Sequence, residues 1–369
     1  MQLSLETYSL IVKYVADREN LASLCRVSKA FQKVAERKLY NTVDLRGYTR
    51  TASICRLLSN RPRLAVLVDA LSIHLAEDES ADSDESMDPT PDDYWDTIAD
   101  ALKETSKLRH LNLYIDTGDE ASQAWVLDRC VFQLRSFHCD FTWDAHLSTF
   151  LNTQSHLSDL YLVDFRSETS ADTPLSSLHV HSLPKLSTLE CTFMEAAATL
   201  SPGRPISRLK TCFSRSQILE KREEMTDLFA KLRNLRKPLR TLDIADASYT
   251  PDFSMELLNT VVNTFANLNH LRYLGTLVLP VGGRERVAFY GTLMRLHKLQ
   301  CIEVEVSDWE PAPTNPAALR ALTLELRIYC PSISRVVFVH DFDRTVMKMS
   351  DNYCVVDGDA NAETLWRDI

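Results

Sequence analysis

Two histidines separated by one residue, His179 and His181, are the first candidates for metal ligation in the chain. If this stretch were a β-strand, both imidazole rings would lie on the same side of it. A protein zinc site uses about three or four Cys, His, Asp or Glu ligands, and no cluster of acidic or Cys ligands accompanies this pair. The pattern therefore indicates ordinary surface histidines, and we expect neither a metal nor a cofactor.

The cysteines do not have the spacing of a ligand set or of a disulfide framework. Nine cysteines are spread over the chain, and none belongs to a Cys-x-x-Cys pair. They are Cys25, Cys55, Cys130, Cys139, Cys191, Cys212, Cys301, Cys330 and Cys354. An odd number of scattered cysteines is typical of reduced thiols inside a cell.

Glycine-rich loops that hold phosphate are absent from the sequence. The chain has only eight glycines, and the adjacent Gly282 and Gly283 after Pro280 are typical of a turn. The sequence contains no G-x-x-x-x-G-K-[ST], G-x-G-x-x-G or G-x-S-x-G pattern. We therefore predict no catalytic residues, and an enzyme with an unrecognised site is the least favoured alternative.

The formal net charge of −10 is concentrated in one stretch. Between Leu64 and Leu102 there are twelve acidic residues and no Lys or Arg, so the rest of the chain carries about +2. Residues 77–93 are predicted to form a disordered acidic insertion. Its hydroxyl residues are candidates for an acid-directed kinase, although a solvated insertion is the favoured explanation of the stretch, because motif matches this short are often accidental. These residues are Ser80, Ser83, Ser86 and Thr90.

Nucleic acid and membrane are not predicted as partners. A basic cluster lies between Lys231 and Arg240, and a solvated helix end explains it more simply than phosphate binding. The net negative charge and the absence of a basic and aromatic face disfavour nucleic-acid binding. The sequence has no apolar span of 18 residues and no pattern of a signal peptide. We expect a soluble intracellular protein of the cytoplasm, the nucleus or both.

An apolar pattern, h-x-x-h-x-h, recurs eleven times after residue 40. The first copy is Tyr40, Val43 and Leu45, and the last begins at Ile333. The 293 residues from Tyr40 to Ile333 divide into ten intervals of about 29 residues, which is the upper end of the leucine-rich-repeat period. The intervals are unequal, so we predict an irregular array.

Helical patterns lie between these predicted strands. Apolar residues at i, i+3 or i+4 predict helices over 94–105, 124–132, 145–151, 216–235, 255–265, 284–296 and 317–329. Alternating strands and helices predict an α/β fold, a right-handed βα solenoid with a parallel inner sheet, over residues 41–341. Residues 342–369 are apolar enough to form a C-terminal cap.

The residues that alternate with the apolar strand positions should face outward on the concave side of such an array. Tyrosine, histidine and mixed charge at these positions are typical of a protein-binding surface. The candidates for binding a protein target are His110, Asn112, Tyr114, His138, Asp140, Asp159, Tyr161, Glu190, Arg208 and Lys210.

Residues 1–40 are predicted to form a module of short helices. Apolar residues recur at helical spacing on both sides of the polar stretch 17–20. Ser4, Asp17 and Ser28 stand where helix N-caps are expected. A segment of about 40 residues cannot bury enough surface to be stable alone, so its outer apolar face needs a partner or the rest of the chain.

The residues of this module resemble the F-box family, whose members bind the adaptor of modular ubiquitin ligases. The matching stretches are Leu3-Ser4-Leu5-Glu6, Ile11-Val12-Lys13-Tyr14-Val15, Leu21-Ala22-Ser23-Leu24-Cys25 and Val27-Ser28-Lys29-Ala30-Phe31. The sequence differs from the family pattern at Ser4, where proline is usual, and at Val12, where phenylalanine is usual. With the repeats that follow, the whole chain is similar to F-box proteins with C-terminal leucine-rich repeats, as found in many fungi.

The resemblance implies a non-catalytic substrate receptor of a Skp, cullin and F-box ubiquitin ligase. The N-terminal helices would bind a Skp-type adaptor, and the repeats would bind a target protein. The residues that this implies for adaptor binding are Leu3, Ser4, Leu5, Leu10, Ile11, Tyr14, Leu21, Leu24, Val27 and Phe31. The alternative is a leucine-rich-repeat scaffold whose N-terminal helices only cap the solenoid, because terminal repeats need a cap whatever the function.

Overall fold

The computed structural model describes residues 3–74, 93–114, 123–163, 178–264, 270–350 and 353–369. They belong to two compact units, one within residues 1–165 and 176–184 and the other within 185–369. Residues 77–92 of the predicted acidic insertion, with its four candidate phosphorylation residues, lie outside the described residues.

The first unit begins with three helices and continues as alternating strands and helices. The helices are α1 Leu5–Lys13, α2 Arg18–Val27, α3 Lys29–Asn41, α4 Tyr48–Asn60, α5 Pro62–Ala65, α6 Tyr94–Glu104 and α7 Ala145–Thr153. The strands are β1 Thr42–Arg46, β2 Ala70–His74, β3 His110–Tyr114, β4 Ser136–Cys139 and β5 Asp159–Leu162. Neighbouring strands in this series pair in parallel.

The second unit continues the alternation and ends with an antiparallel extension. The strands are β6 Thr188–Cys191, β7 Arg208–Cys212, β8 Thr241–Ala245, β9 Tyr273–Val278, β10 Cys301–Glu305, β11 Arg335–His340, β12 Asp343–Ser350 and β13 Tyr353–Val356. The helices are α8 Met194–Leu200, α9 Ile218–Leu232, α10 Pro251–Thr264, α11 Gly283–Leu293, α12 Pro316–Tyr329 and α13 Leu365–Asp368. Strands β6 to β11 pair in parallel in chain order, and β12 and β13 then add antiparallel strands.

The predicted α/β class and the mostly parallel sheet are confirmed. Each of the eleven apolar repeats coincides with one of the strands β1 to β11. In β3, Leu111 and Leu113 are buried, whereas His110 is exposed and Asn112 and Tyr114 are half-buried. This alternation of period two places one side of each strand against the helices. Helices α9, α10 and α12 occupy three of the four longest intervals between repeats.

Two sequence-based expectations differ from the structure, and the structure also places the two histidines that were considered as metal ligands. The helix predicted over 124–132 is only a 3-10 turn, Ala124–Leu127, because the chain leaves it at Asp128 with extended backbone and Arg129 has a φ of 63°. His179 and His181 do not lie on a strand but in and beside a turn, where the His179 backbone N–H donates to Asn152 Oδ1 at 2.9 Å. Residues 342–369 do more than close the sheet edge, because α13 lies against strand positions that were expected to face solvent.

Candidate functional site

The N-terminal helical module, residues 3–41, is shaped by local capping as the sequence predicts. Ser4 accepts a hydrogen bond from the Thr7 backbone N–H at 3.3 Å, and Ser28 accepts one from the Phe31 N–H at 3.3 Å. Asp17 caps α2 in the same way through the Glu19 N–H at 3.1 Å. Each cap satisfies a backbone donor that the first helical turn leaves unpaired. Ser4, one of the two positions at which the sequence differs from the resembled pattern, therefore has a defined structural role here.

The core of the N-terminal helical module is small and lies where its three helices meet. Val12, Leu21 and Ala35 are fully buried and are surrounded by half-buried apolar side chains, among them Leu24 and Phe31. Val12, the other position that differs from the resembled pattern, is only 1% exposed and is an internal packing residue. Leu21, which was predicted to bind the adaptor, is also buried in this core and packs between the helices.

Lys38 fixes the end of α1 against α3. Its Nζ donates to the backbone carbonyl oxygens of Val12, Lys13 and Val15 at 3.0, 2.9 and 2.7 Å. These carbonyl groups lie at the C-terminus of a helix, where the helix dipole favours a positive charge. The lysine thus holds the C-terminal end of α1 against α3.

The outer side of the N-terminal helical module is apolar. The exposed large apolar side chains are Leu3, Leu5, Leu10, Ile11, Tyr14 and Val27. Tyr14, Val27 and Leu10 are 79%, 64% and 57% exposed, respectively. Tyr14, at the C-cap of α1, is three residues after Ile11 and four after Leu10, so the three side chains project from one side of the helix at its C-terminal end. We call the six exposed residues the apolar face; it is the first candidate site.

The second candidate site is the outward side of strands β2 to β5 in the first unit. The strand register aligns Ser72, Asn112, His138 and Tyr161 in one row and places His74 beside Tyr114. The His74 and Tyr114 rings stack with their centres 5.3 Å apart, and His138 meets Tyr161 edge to face at 5.7 Å. We call this surface the aromatic strand face. Its half-buried rings offer apolar area with polar edges, which suits protein recognition.

Most of the predicted target-binding residues of the first unit lie on or beside the aromatic strand face. His110 is exposed, and Asn112, Tyr114, His138, Asp159 and Tyr161 are half-buried on the outward strand positions. Asn112 Nδ2 donates to Ser72 Oγ at 3.1 Å, which orients the amide. Asp140 directly follows β4 and is also half-buried.

One group on the aromatic strand face has the residue types of a catalytic triad but not its geometry. His138 Nε2 lies 3.2 Å from Ser136 Oγ and 3.4 Å from Asp159 Oδ2. In a nucleophilic triad the hydroxyl and the carboxylate contact opposite nitrogens of the imidazole ring. Here both contact the same nitrogen, so His138 cannot take a proton from Ser136 while Asp159 orients it.

The thiols that are buried in the structure are not activated nucleophiles. Burial raises the pKa of Cys55, Cys130 and Cys191 to about 12 and that of Cys212 to about 11. A reactive cysteine needs a pKa lowered toward neutral, because the thiolate is the attacking species. These thiols are therefore packing groups.

A cluster of Ser214, Glu195 and Glu224 escaped the sequence analysis. Ser214 Oγ donates to Glu195 Oε2 at 2.8 Å, and the Ser214 backbone N–H donates to Glu224 Oε2 at 3.2 Å. Burial, with the nearby Glu195, raises the pKa of Glu224 to about 7. The serine hydroxyl also accepts from the Met194 backbone N–H at 2.9 Å, so the cluster ties β7 to the start of α8. No spacing in the sequence signals this long-range arrangement.

In the second unit, the outward strand positions are covered instead of open. Glu190 and Lys210 are half-buried and bonded within the unit, and Arg208 is half-buried beside them. Strands β8, β9 and β10 are buried on both sides. The cover is the chain's own C-terminal segment, residues 357–369. These three predicted target-binding residues are therefore half-buried within the second unit and do not lie on an open surface of it.

A buried network of charges adjoins the strand residues that the C-terminal segment covers, because Tyr273 belongs to both. Glu303 accepts hydrogen bonds from Tyr273 OH at 2.7 Å, Thr276 Oγ1 at 3.0 Å and Arg344 Nε at 3.2 Å. Asp243 is buried nearby, with Lys210 Nζ 3.8 Å from its Oδ2. Burial and the Glu303 carboxylate raise the pKa of Asp243 to about 7, against the opposing charges of Lys210 and Arg344.

The described part of the chain shows neither a metal-binding cluster nor a membrane-spanning helix. Within residues 3–74, 93–114, 123–163, 178–264, 270–350 and 353–369, no three His, Cys, Asp or Glu side chains come together as metal ligands. Over the same ranges, every helix is too short or too polar to cross a bilayer.

Comparison with protein-family models and with curated proteins found no match for this chain.

Proposed function

We propose that the protein is the substrate-receptor subunit of a Skp, cullin and F-box ubiquitin ligase. The observation that supports this most is the apolar face of the N-terminal helical module. Leu10, Ile11, Tyr14 and Val27 are exposed on helices α1 and α2, whose core is already filled by other side chains. Burying one such side chain against a partner contributes roughly 1.5–3 kcal/mol. The matched motif residues make a Skp-type adaptor the proposed partner.

The proposed mechanism is proximity. The adaptor would connect the N-terminal helical module to the cullin, while the aromatic strand face holds the target protein. A target lysine held near the thioester of the conjugating enzyme reacts at a high effective concentration. This role requires no catalytic side chain from the receptor. It needs only two separate binding surfaces. The apolar face, on the N-terminal helices, and the aromatic strand face, on β2 to β5, are two such surfaces of the first unit.

Adaptor binding is tested by co-expressing the full chain with a Skp-type adaptor and measuring recovery in a pull-down. The Leu10→Asp/Ile11→Asp double variant is expected to lose adaptor binding by at least ~100-fold, because it places two charges in the interface. Val131→Asp is the control, since Val131 is likewise an exposed aliphatic side chain of the first unit but lies outside the N-terminal helical module. Phe31→Asp is a poorer test, because Phe31 packs against the module core.

The scaffold alternative is favoured by one contact between the N-terminal helical module and the first repeats. Glu36 of α3 pairs with Arg63 of α5, and Arg63 Nη2 lies 3.1 Å from Glu36 Oε1. Hydrogen bonding from Arg63 lowers the pKa of Glu36. If the wild-type chain does not retain the adaptor, while Glu36→Gln lowers the melting temperature of the first unit, the helices are a cap and the ligase proposal is wrong.

A further inference from the structure

The outward side of the strands in the second unit is occupied by the C-terminal segment, residues 357–369. Leu365, Trp366 and Ile369 are buried there in one cluster with strand residues. The strand residues of that cluster are Tyr273, Cys301, Val337 and Val346. Trp366 is only 1% exposed, so the segment inserts its largest side chain fully. We call this surface the covered strand face.

The covered strand face also binds the segment through polar groups. Thr241 Oγ1 donates to the Trp366 carbonyl oxygen at 3.1 Å, and Arg240 Nη2 donates to the Ile369 carbonyl oxygen at 3.0 Å. Arg367 Nη2 donates to Glu190 Oε2 at 2.5 Å, and its guanidinium lies 4.6 Å from the centre of the Trp366 ring. The face thus recognises main-chain carbonyl groups, one indole ring and one arginine.

The segment is attached in the manner of a bound peptide. Its main chain leaves the sheet at Asp357, whose N–H donates to the Val346 carbonyl oxygen at 2.8 Å. Its regular structure is the four-residue helix α13, which is far below the length at which a helix is stable in water. The segment can therefore leave the face without breaking the pairing of the strands beneath it.

The fit between the segment and the covered strand face leaves polar groups unpaired. Within the described residues, Trp366 Nε1 and Asp243 Oδ1 are buried without a hydrogen-bond partner. An unpaired buried polar atom costs roughly 1–3 kcal/mol. A ligand could bind this face better than the resident segment in two ways. It could donate a hydrogen bond to Asp243 Oδ1, or it could place an aromatic residue where its ring nitrogen, unlike Trp366 Nε1, has an acceptor.

We propose that the covered strand face is a peptide-binding site whose resident ligand is the C-terminal segment. A partner protein displaces the segment with a stretch that has an aromatic residue followed directly by arginine. The arginine would pair with Glu190 as Arg367 does, and the aromatic ring would take the place of Trp366 against Tyr273 and Cys301. This site goes beyond adaptor binding and does not depend on it.

Opening of the site is tested in the full chain by thiol labelling with peptide mapping by mass spectrometry. Cys301 is covered by the segment, whereas Cys330 and Cys191 are buried elsewhere in the same unit and serve as internal references. We expect Cys301 to react at least ~10-fold faster than either reference. Departure of the segment exposes Cys301 by local opening, which occurs more often than the global unfolding that exposes the references. Trp366→Ala should accelerate Cys301 alone. Equal rates at the three cysteines, in both proteins, would overturn the proposal.

Ligand binding is tested with a fluorescein-labelled peptide of residues 357–369. Fluorescence anisotropy should show saturable binding to the full-length Trp366→Ala/Arg367→Ala chain that is at least ~10-fold tighter than to wild type, because the altered segment competes less. A Glu190→Arg version should prefer a peptide with Arg367→Glu. No saturable binding to a chain whose Cys301 is reactive would refute the site. If circular dichroism shows that the double variant is unfolded, the wild-type chain is labelled with and without the added peptide. The peptide should then slow the labelling of Cys301, because it covers the face when the segment leaves.

Discussion

Arg367 reaches Glu190 with Nη2 2.5 Å from Oε2, across 177 positions of sequence. The contact joins the last helix of the second unit to its first strand. Both side chains are about one-fifth exposed, so water screens the pair less than it screens a surface ion pair. The contact fixes the position of the C-terminal segment along the covered strand face.

Removing either partner of this ion pair should open the covered strand face. A hydrogen bond between charged groups contributes roughly 1.5–3 kcal/mol, so Arg367→Ala and Glu190→Ala should each raise the Cys301 labelling rate about 10-fold or more. The double variant should resemble the single variants, because both remove the same contact. Arg222→Ala is the matched control, since Arg222 makes an equally short pair with Glu256 on the helices. Additive effects would show that the two residues act separately.

A methyl group at position 275 should destabilise the second unit. A Cβ on Gly275 would lie 2.9 Å from Glu303 Cβ and 3.3 Å from Asp243 Oδ1. Overpacking of this kind costs typically 1–3 kcal/mol, so Gly275→Ala should lower the thermal midpoint. Gly291→Ala in helix α11 meets no atom within 4 Å and should raise stability by roughly 0.4–1 kcal/mol. Equal midpoints for the two variants would contradict the close approach at Gly275.

The sequence predicted the strands of both units because their inward residues follow a period of two. Leu111, Leu113 and Leu160 are local signals of this kind, and Ser4 and Ser28 are local signals of helix starts. The cover on the second unit is different in nature, since it depends on contacts between distant residues such as Thr241 and Trp366. A trace of it was present in the apolar residues at outward positions, Cys301 and Val337. Polar residues at those positions would have indicated an open face.

The residues of the candidate sites were predicted only in part. Among the residues that the family resemblance implies for adaptor binding, Leu10, Ile11 and Tyr14 are exposed. Helical spacing could not tell that Leu21 points inward, because a small three-helix core takes one side chain from each helix and periodicity does not choose which. The basic cluster was interpreted as a solvated helix end, yet Arg240 binds the C-terminal segment.

Lys38 should be needed for the arrangement of the N-terminal helical module. Lys38→Met keeps the length of the side chain but removes the donors to the carbonyl groups of Val12, Lys13 and Val15. We expect the backbone amides of α1 to exchange with deuterium about 10-fold faster or more, since hydrogen bonds to a charged group contribute roughly 1.5–3 kcal/mol. Lys33→Met is the control, because Lys33 lies on the exposed side of α3. Identical exchange in the two variants would show that the lysine is not needed.

Rising pH should open the covered strand face. Burial keeps the pKa of Asp243 at about 7, whereas a carboxyl exposed by departure of the segment returns toward the ordinary value of 3.8. The closed state therefore binds more protons between these pH values, and its stabilisation is complete below about 3.8 and is lost as pH rises through about 7. The charged groups that face Asp243 are Glu303, Lys210, Arg344 and Glu190.

The measurement is the Cys301 labelling rate, divided at each pH by the rate of a free cysteine peptide to remove the ionisation of the thiol itself. Release of one proton on opening predicts an increase of about 10-fold from pH 6 to pH 8 in the wild-type chain. Asp243→Asn should remove most of this increase, and Asp227→Asn, on the exposed side of α9, should retain it. A wild-type ratio that does not change with pH, or an Asp243→Asn chain with the wild-type slope, would show that Asp243 does not govern the opening.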